Sequence, residues 1–249
     1  MEPDRLELQF KRHIGIDGEL ACSTAWLGDD MAVGVAGGFL IINPVDGRKE
    51  KTKMVPHNAV IYSVQSVGKF ALAALCKVSK NKMEIRLSCP HSLSNKKSIV
   101  HEFEQEDDLL THMAISDTCI AICSLQRKLI NVIDLKTKQS LVVGSGKLQH
   151  PWGVSLKQNH VVVGDCDVGC VFKYKLEKDS EPEWICKGLK SPSGICEDED
   201  GYLYVASNSD KVIYLLSPQG DFVMPLPCLN LYFFQTKTKV ICHCHMWSD

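Results

Sequence analysis

A repeat of about 40 residues limits this chain to a small set of folds. Pro151-Trp-Gly-Val154 recurs as Pro192-Ser-Gly-Ile195, 41 positions later. Each copy is followed by two apolar runs and a shorter third one, separated by turn signals such as Asp198-Glu-Asp-Gly201. Short apolar runs between tight, glycine-containing turns are typical of β-strands. The repeat therefore predicts one four-stranded antiparallel sheet per unit.

Three earlier units follow the same rhythm with weaker motifs. They cover residues 20–57, 58–105 and 109–149, and each contains short apolar runs at the spacing expected for strands. No stretch combines a 3.6-residue period over three turns with a cap and a stop, so helices are not expected. Four-stranded sheets that repeat along a chain are typical of the blades of a β-propeller. We therefore predict an all-β propeller with five visible four-stranded blades over residues 1–224.

The two ends of the chain bear on how the ring closes. Residues 5–14 begin with alternating apolar and polar side chains, and a strand here could complete the last blade. Residues 225–249 lack the Pro-x-Gly start and the Asp-Gly turn of the repeat. Two interpretations of this divergent tail stay open. It is either a degraded sixth blade or the end of a truncated or alternatively spliced product.

The composition indicates neither a global charge nor a membrane anchor. The 28 Lys and Arg residues are balanced by 30 Asp and Glu residues, so an anionic partner must be recognised by a local patch. No apolar run approaches the roughly 20 residues of a membrane span, and no secretory signal pattern is present. Twelve cysteines, irregularly spaced and mostly in apolar runs, favour buried reduced thiols. We expect a cytoplasmic protein that does not bind membranes, and the sequence leaves its oligomeric state open.

The last repeat resembles a known family. The resemblance rests on a Pro-x-Gly-Ile start, an acidic turn, an apolar strand and a basic residue, at Pro192–Ile195, Asp198–Gly201, Leu203–Ala206 and Lys211. These features resemble the NHL repeat over residues 150–224, although Ser207 stands where the family has Asp and the preceding unit keeps Asp165. The chain is similar to the C-terminal propellers of TRIM-NHL proteins. That similarity implies a scaffold for protein or RNA partners in ubiquitin-ligase-related or post-transcriptional pathways, although the cysteines lack the paired spacing of a RING or B-box.

Basic residues collect in particular loops of the predicted blades. Because strands alternate in direction, the loops between second and third strands share one face with the loops between blades. With one tryptophan at a blade entrance, they form the candidate partner-binding surface: Lys77, Lys80, Lys82, Arg127, Lys128, Lys147, Trp152, Lys187, Lys190 and Lys211. Such a face would hold an acidic peptide or phosphates, so we expect a protein partner, with RNA as an alternative. Solvated loop charges, and packing of Trp152 between blades, are the alternative interpretations.

Metal and catalytic chemistry are not expected. Asp165-Cys-Asp167 lacks the other ligands of a calcium loop, and neighbours in Cys242-His-Cys-His245 would point to opposite faces of a strand. Lactonase propellers of the gluconolactonase (senescence-marker) type hold a divalent metal in the channel. Asn208 and Asp165 could face a channel here, but that family's Glu-Gly-Pro element is absent. We predict no catalytic residue, metal or cofactor, with a metal-dependent lactonase and a WD-repeat-like scaffold as alternative functions.

Overall fold

The chain forms twenty β-strands in the part that the computed structural model describes. The described residues are 23–227 without 36–37, 44, 54–58, 70, 81, 91–96, 105–109 and 208. Within them the strands form five sheets of four consecutive antiparallel strands, and no helix is present. The all-β prediction and the five four-stranded blades are therefore confirmed. The strand predicted at residues 5–14, Asn208, and the tail beyond residue 227 with Cys242–His245 lie outside the described residues.

The five blades follow one another along the chain without a crossover. Blade 1 contains β1 to β4, at Ser23–Leu27, Asp30–Val35, Gly38–Ile42 and Lys49–Lys53. Blade 2 contains β5 to β8, at Val60–Val67, Ala71–Ser79, Lys82–Ser88 and Lys97–Glu104. Blade 3 contains β9 to β12, at Leu110–Ile115, Cys119–Ser124, Leu129–Asp134 and Ser140–Val143. Blade 4 contains β13 to β16, at Pro151–Leu156, His160–Asp165, Cys170–Lys175 and Pro182–Lys187. Blade 5 contains β17 to β20, at Pro192–Glu197, Leu203–Ser207, Val212–Leu216 and Phe222–Pro227.

The hydrophobic core lies mainly between the blades. One cluster of buried side chains joins each pair of neighbours, as in the packing of Phe39 of blade 1 with Ile61 of blade 2. Two smaller clusters lie within single blades, around Val33 in blade 1 and around Tyr204 in blade 5. This arrangement explains why the second strands are continuously apolar. They are covered on both faces, and every residue of β18 is buried.

The first strand of each blade lies at the centre of the ring. The first four of these five inner strands each contact the inner strand of the next blade, from β1 through β5, β9 and β13 to β17. All five line one cavity of about 260 Å³. Its wall includes polar groups from different blades, among them Gln65, Ser155, Lys157 and Glu197. The cavity marks the common centre of the propeller.

One position of the inner strand sets how closely neighbouring blades approach. In β13 this position is Gly153, the glycine of the Pro-x-Gly motif, and a Cβ added there would lie 1.8 Å from the backbone oxygen of Ser193. Strand register places Ser23 and Ser63 at the same position in blades 1 and 2. The Ser63 hydroxyl accepts a hydrogen bond from the backbone N–H of Met113 at 3.2 Å, and Ser23 contacts blade 2 in the same way. Only glycine, or a side chain that bonds to the next strand, is found there in these three blades.

We expect Gly153→Ala to lower the free energy of unfolding by about 3 kcal/mol, because the new methyl group would displace the backbone of blade 5. Gly146→Ala is the matched control. Its φ of +74° is unfavourable for alanine, but its Cβ would meet nothing within 4 Å, so a loss of about 1 kcal/mol is expected. Urea denaturation of both variants measures the difference. Equal losses would show that the blades do not depend on close approach at residue 153.

Candidate functional site

The turns between second and third strands meet the blade connections on one face of the propeller. In blade 4 the N–H of Cys166 donates to the backbone oxygen of His150 at 3.0 Å, and the N–H of Leu189 donates to that of Gly169 at 3.0 Å. These bonds join both neighbouring connections to the same turn. We call this surface the loop face, and define it by residues 79–80, 125–128, 144–150, 166–169, 188–191 and 209–211.

Asp165 organises the loop face at blade 4. It is fully buried at the end of β14, and its carboxylate accepts hydrogen bonds from the backbone N–H groups of Gln149 at 2.5 Å and His150 at 3.0 Å. It also accepts from the N–H groups of Asp167 at 3.2 Å and Val168 at 3.3 Å. The Asp165-Cys-Asp167 motif is thus a turn in which one carboxylate binds backbone donors from two loops. Both of its oxygens are already occupied.

Ser207 performs the same task in blade 5. Register places it at the end of β18, opposite Pro192, as Asp165 is opposite Pro151 in blade 4. Its hydroxyl donates to the backbone oxygen of Lys190 at 2.5 Å and accepts from the N–H of Asp210 at 3.0 Å. The serine therefore links the incoming connection to the turn, as the aspartate does. The departure from the NHL pattern at this residue preserves the link and gives up two of the four hydrogen bonds.

We expect Asp165→Ala to lower the free energy of unfolding by about 3 kcal/mol, since buried N–H groups lose an ionised acceptor. Asp165→Ser should lose less, about 1–2 kcal/mol, because a hydroxyl can reproduce the Ser207 arrangement. The neighbouring exposed residue supplies the control, and Asp167→Ser should stay within about 0.5 kcal/mol of the parent. Thermal and chemical denaturation test this order. A serine variant no more stable than the alanine variant would contradict the equivalence of the two sites.

Several predicted basic residues in blades 3 to 5 have partners on or beside the loop face. The Lys128 ammonium donates to the Gln149 side-chain oxygen at 2.9 Å, and the Lys147 ammonium lies 3.1 Å from the Glu181 carboxylate. Lys190 pairs with Asp210 at 3.0 Å, and that hydrogen bond raises the pKa of Lys190. Lys211 follows Asp210 in the same turn and is exposed. These contacts fix the loops relative to one another while the lysines stay at the surface.

Three predicted residues have no such ionic partner. Lys80, Arg127 and Lys187 are exposed, and no carboxylate among the described residues lies within ion-pair distance of them. Arg127 lies in the turn of blade 3, and Lys187 ends β16 just before the connection to blade 5. These side chains are therefore open to an external anion.

Blade 2 uses its basic residues differently. Lys77 is a partly buried residue inside β6, opposite Met83. The Lys82 ammonium lies 3.0 Å from Glu84 and 2.9 Å from Glu102, and Arg86 pairs with Glu84 at 2.6 Å. Burial alone would raise the pKa of Glu84, but the hydrogen bonds from Lys82 and Arg86 outweigh it and lower the pKa. Lys82 therefore neutralises a buried carboxylate within its own sheet.

We expect Glu84→Gln to lower the free energy of unfolding by about 1–2 kcal/mol at pH 7, since it removes the acceptor of two cations. The pKa of Glu84 is lower in the folded protein than its ordinary value of 4.5, so ionisation stabilises the fold above pH 4.5. That contribution is lost as the pH falls through the folded pKa, and the two proteins should become alike. Denaturation between pH 3 and 7 measures the difference in unfolding free energy between the parent and the variant, with the exposed Glu102→Gln as control. A difference in unfolding free energy that does not change with pH would contradict the stabilising role of the ionised Glu84.

Trp152 belongs to an aromatic cluster at the entrance of blade 4. It occupies a β-bulge between Pro151 and Gly153, and bulges redirect a side chain. Its ring centroid lies 5.3 Å from that of His112 in blade 3 and 5.5 Å from that of His150. The Cys123 thiol donates to the Trp152 backbone oxygen at 3.3 Å. Trp152 therefore packs across the blade 3–blade 4 boundary, beside a histidine that also lines the central cavity.

Two features of the site were not predicted from the sequence. His150 Nδ1 lies 3.4 Å from Asp167 Oδ1, which ties the aromatic cluster to the turn of blade 4. On the opposite face, His160 Nε2 lies 2.9 Å from Glu197 Oε2, and its Nδ1 lies 2.8 Å from the Asn159 side-chain oxygen. The sequence signal is position alone, because His160 begins β14 and Glu197 ends β17, each next to the turn that joins the first and second strands of its repeat.

The most deeply buried thiols of the described residues are poor nucleophiles. Burial raises the pKa of Cys166 and of Cys76 to about 12, and it raises that of Cys123 well above its usual value. Thiols with raised pKa values are protonated and unreactive at neutral pH. No group of three or more His, Cys, Asp or Glu side chains among the described residues is arranged to hold a metal ion. The same residues include no helix with the length and apolar character needed to cross a membrane.

Comparison with known proteins supports an NHL-type propeller. Residues 148–174 match the model of the NHL repeat family. A chain in the crystal structure of a nidogen/laminin complex has a TM-score of 0.69 at 8% identity, over 86% of this chain and 82% of that chain. A protein of unknown function from Bacteroides caccae has a TM-score of 0.58 at 12% identity, over 84% of this chain and 82% of that one. No curated protein matches the chain.

Proposed function

We propose that this propeller is a non-enzymatic binding scaffold that recognises its partner through the loop face. The observation that carries the proposal is the unbroken series of contacts across blades 3, 4 and 5, from Lys128 through Gln149, Asp165 and Gly169 to Lys190. A surface held in this way is rigid before it binds, which reduces the entropy lost on association.

The charge of this surface indicates the charge expected of the partner. The basic side chains of the surface are at Lys80, Arg127, Lys128, Lys147, Lys190 and Lys211, and Lys187 lies directly beside it. The carboxylates in ion pairs beside them are Asp167, Asp210 and Glu181, and Asp165 is buried beneath backbone N–H groups. Among the described residues the charge of this surface is positive, although the protein as a whole is slightly acidic. An acidic protein segment or a nucleic acid would complement it.

A catalytic role has less support from the same residues. Of the two residues that the sequence suggested for a lactonase-type metal, Asp165 is the described one, and both of its oxygens are bound to backbone donors. The cysteines near the loop face hold their protons, because burial raises their pKa values. One structurally similar chain was crystallised in a nidogen/laminin complex, which is compatible with protein binding. We extend the proposal to ubiquitin-ligase-related or post-transcriptional pathways, and to the cytoplasm, on the sequence resemblance alone.

We expect a labelled polyglutamate peptide or a labelled single-stranded RNA to bind the protein at low salt, with affinity that falls as salt rises. The double variant Arg127→Glu/Lys187→Glu should weaken this binding by about tenfold or more, equivalent to about 1.4 kcal/mol, because both residues lack an internal ionic partner. Fluorescence anisotropy over a salt series measures both effects.

The matched control reverses two exposed lysines in turns between third and fourth strands, Lys136→Glu/Lys178→Glu. It changes the net charge by the same amount, but its turns lie off the loop face. Binding should be retained. The proposal is wrong if neither probe binds at low salt, or if both double variants weaken binding equally.

A further inference from the structure

We infer that the loop face is built for an acidic protein segment that carries one apolar side chain, which rests on the exposed apolar surface at blade 4. This inference deepens the proposed function by naming the class of partner. It depends on an apolar position at the centre of the basic surface and on the chain of contacts that places basic residues on both sides of it.

The apolar position is Val168, in the turn between β14 and β15. Its side chain is 43% exposed although its backbone N–H is held by the buried Asp165 carboxylate. The exposure is therefore imposed by a rigid turn. The preceding residue, Asp167, contacts His150, whose ring lies against Trp152. Val168 is therefore an exposed apolar position next to Asp167, whose partner His150 packs against the partly buried Trp152 at the entrance of blade 4.

Basic residues flank this apolar position on both sides. Toward blade 3, Gln149 precedes His150 and accepts a hydrogen bond from Lys128, which follows Arg127 in the same turn. Toward blade 5, Gly169 follows Val168 and binds the N–H of Leu189, which lies next to Lys190. The order across the face is therefore basic, apolar and basic. Charge complementarity calls for an acidic, apolar and acidic order in the segment that binds.

A protein segment fits this order better than RNA does. Binding of single-stranded RNA uses several aromatic rings on which successive bases stack. The described residues of the loop face and its flanking positions include one such ring besides histidine, that of Trp152, and both histidines at the blade 4 entrance already contact it. A peptide with one apolar side chain between carboxylates requires only one apolar contact, flanked by cations, and the loop face offers that arrangement.

The test uses two labelled peptides of equal length and charge, each with acidic residues on both sides of one central position. The central residue is Phe in one peptide and Ser in the other. We expect the Phe peptide to bind about tenfold more tightly at physiological salt, because its ring covers apolar surface at Val168. Val168→Ser should remove most of that difference and leave the affinity for the Ser peptide unchanged. Arg127→Glu should weaken binding of both peptides.

Val45→Ser is the matched control. Val45 lies in a turn of blade 1, is 84% exposed, and is distant along the chain from the loop-face contacts of blades 3 to 5. Its substitution should preserve the preference for Phe. Equal binding of the two peptides, or a preference that survives Val168→Ser, overturns the inference while acidic-peptide binding keeps the scaffold proposal. If RNA binds and neither peptide does, the inference is overturned but the scaffold proposal is not. Binding of no probe removes both.

Discussion

The constraint on which this structure depends is that the blades are apolar on both faces. A four-stranded sheet such as blade 4, with Val162 on one face and Val161 and Val163 on the other, exposes apolar surface unless a neighbour covers each side. Stacking around an axis meets that requirement. It also crowds the inner strands, which explains why glycine at residue 153 or hydrogen-bonding serine at residues 23 and 63 occupies the position of closest approach.

The same stacking determines where polar chemistry can occur. The sheets leave little room between blades, so beyond the serines of the inner strands the polar links described above lie at strand ends and in loops. Asp165 and Ser207 end their strands at the loop face, where they bind backbone groups of the incoming connection and of the turn. The same hydrogen bonds therefore end the strand and fix the shape of the loop face. A change at either residue would alter stability and the recognition surface together.

Most of the fold could be predicted from the repeat, because the spacing of apolar runs and the residues of tight turns are local features of the sequence. Blades 4 and 5 were read from Pro-x-Gly motifs, and blades 1 to 3 from apolar runs, and all five are present. Strand ends were less accurate. The fourth strand of blade 5, β20, continues to Pro227, beyond the expected boundary at residue 224. Such an end depends on pairing with the third strand, which a single segment does not reveal.

The site was predicted less completely, because partners distant in sequence decide the role of each charge. Lys82 and Arg127 look alike in the sequence, yet one neutralises the buried Glu84 and the other stands without a described carboxylate partner. Spacing alone identifies the loops that share a face, but it does not identify which basic side chains remain available there. The structure divides them: Lys82 and Arg86 of blade 2 belong to an internal ion-pair network, whereas Lys80 and the loop-face basic residues of blades 3 to 5 are exposed. A partner that binds this face would therefore contact mainly three of the five described blades, and its specificity would arise from the turns of blades 3, 4 and 5.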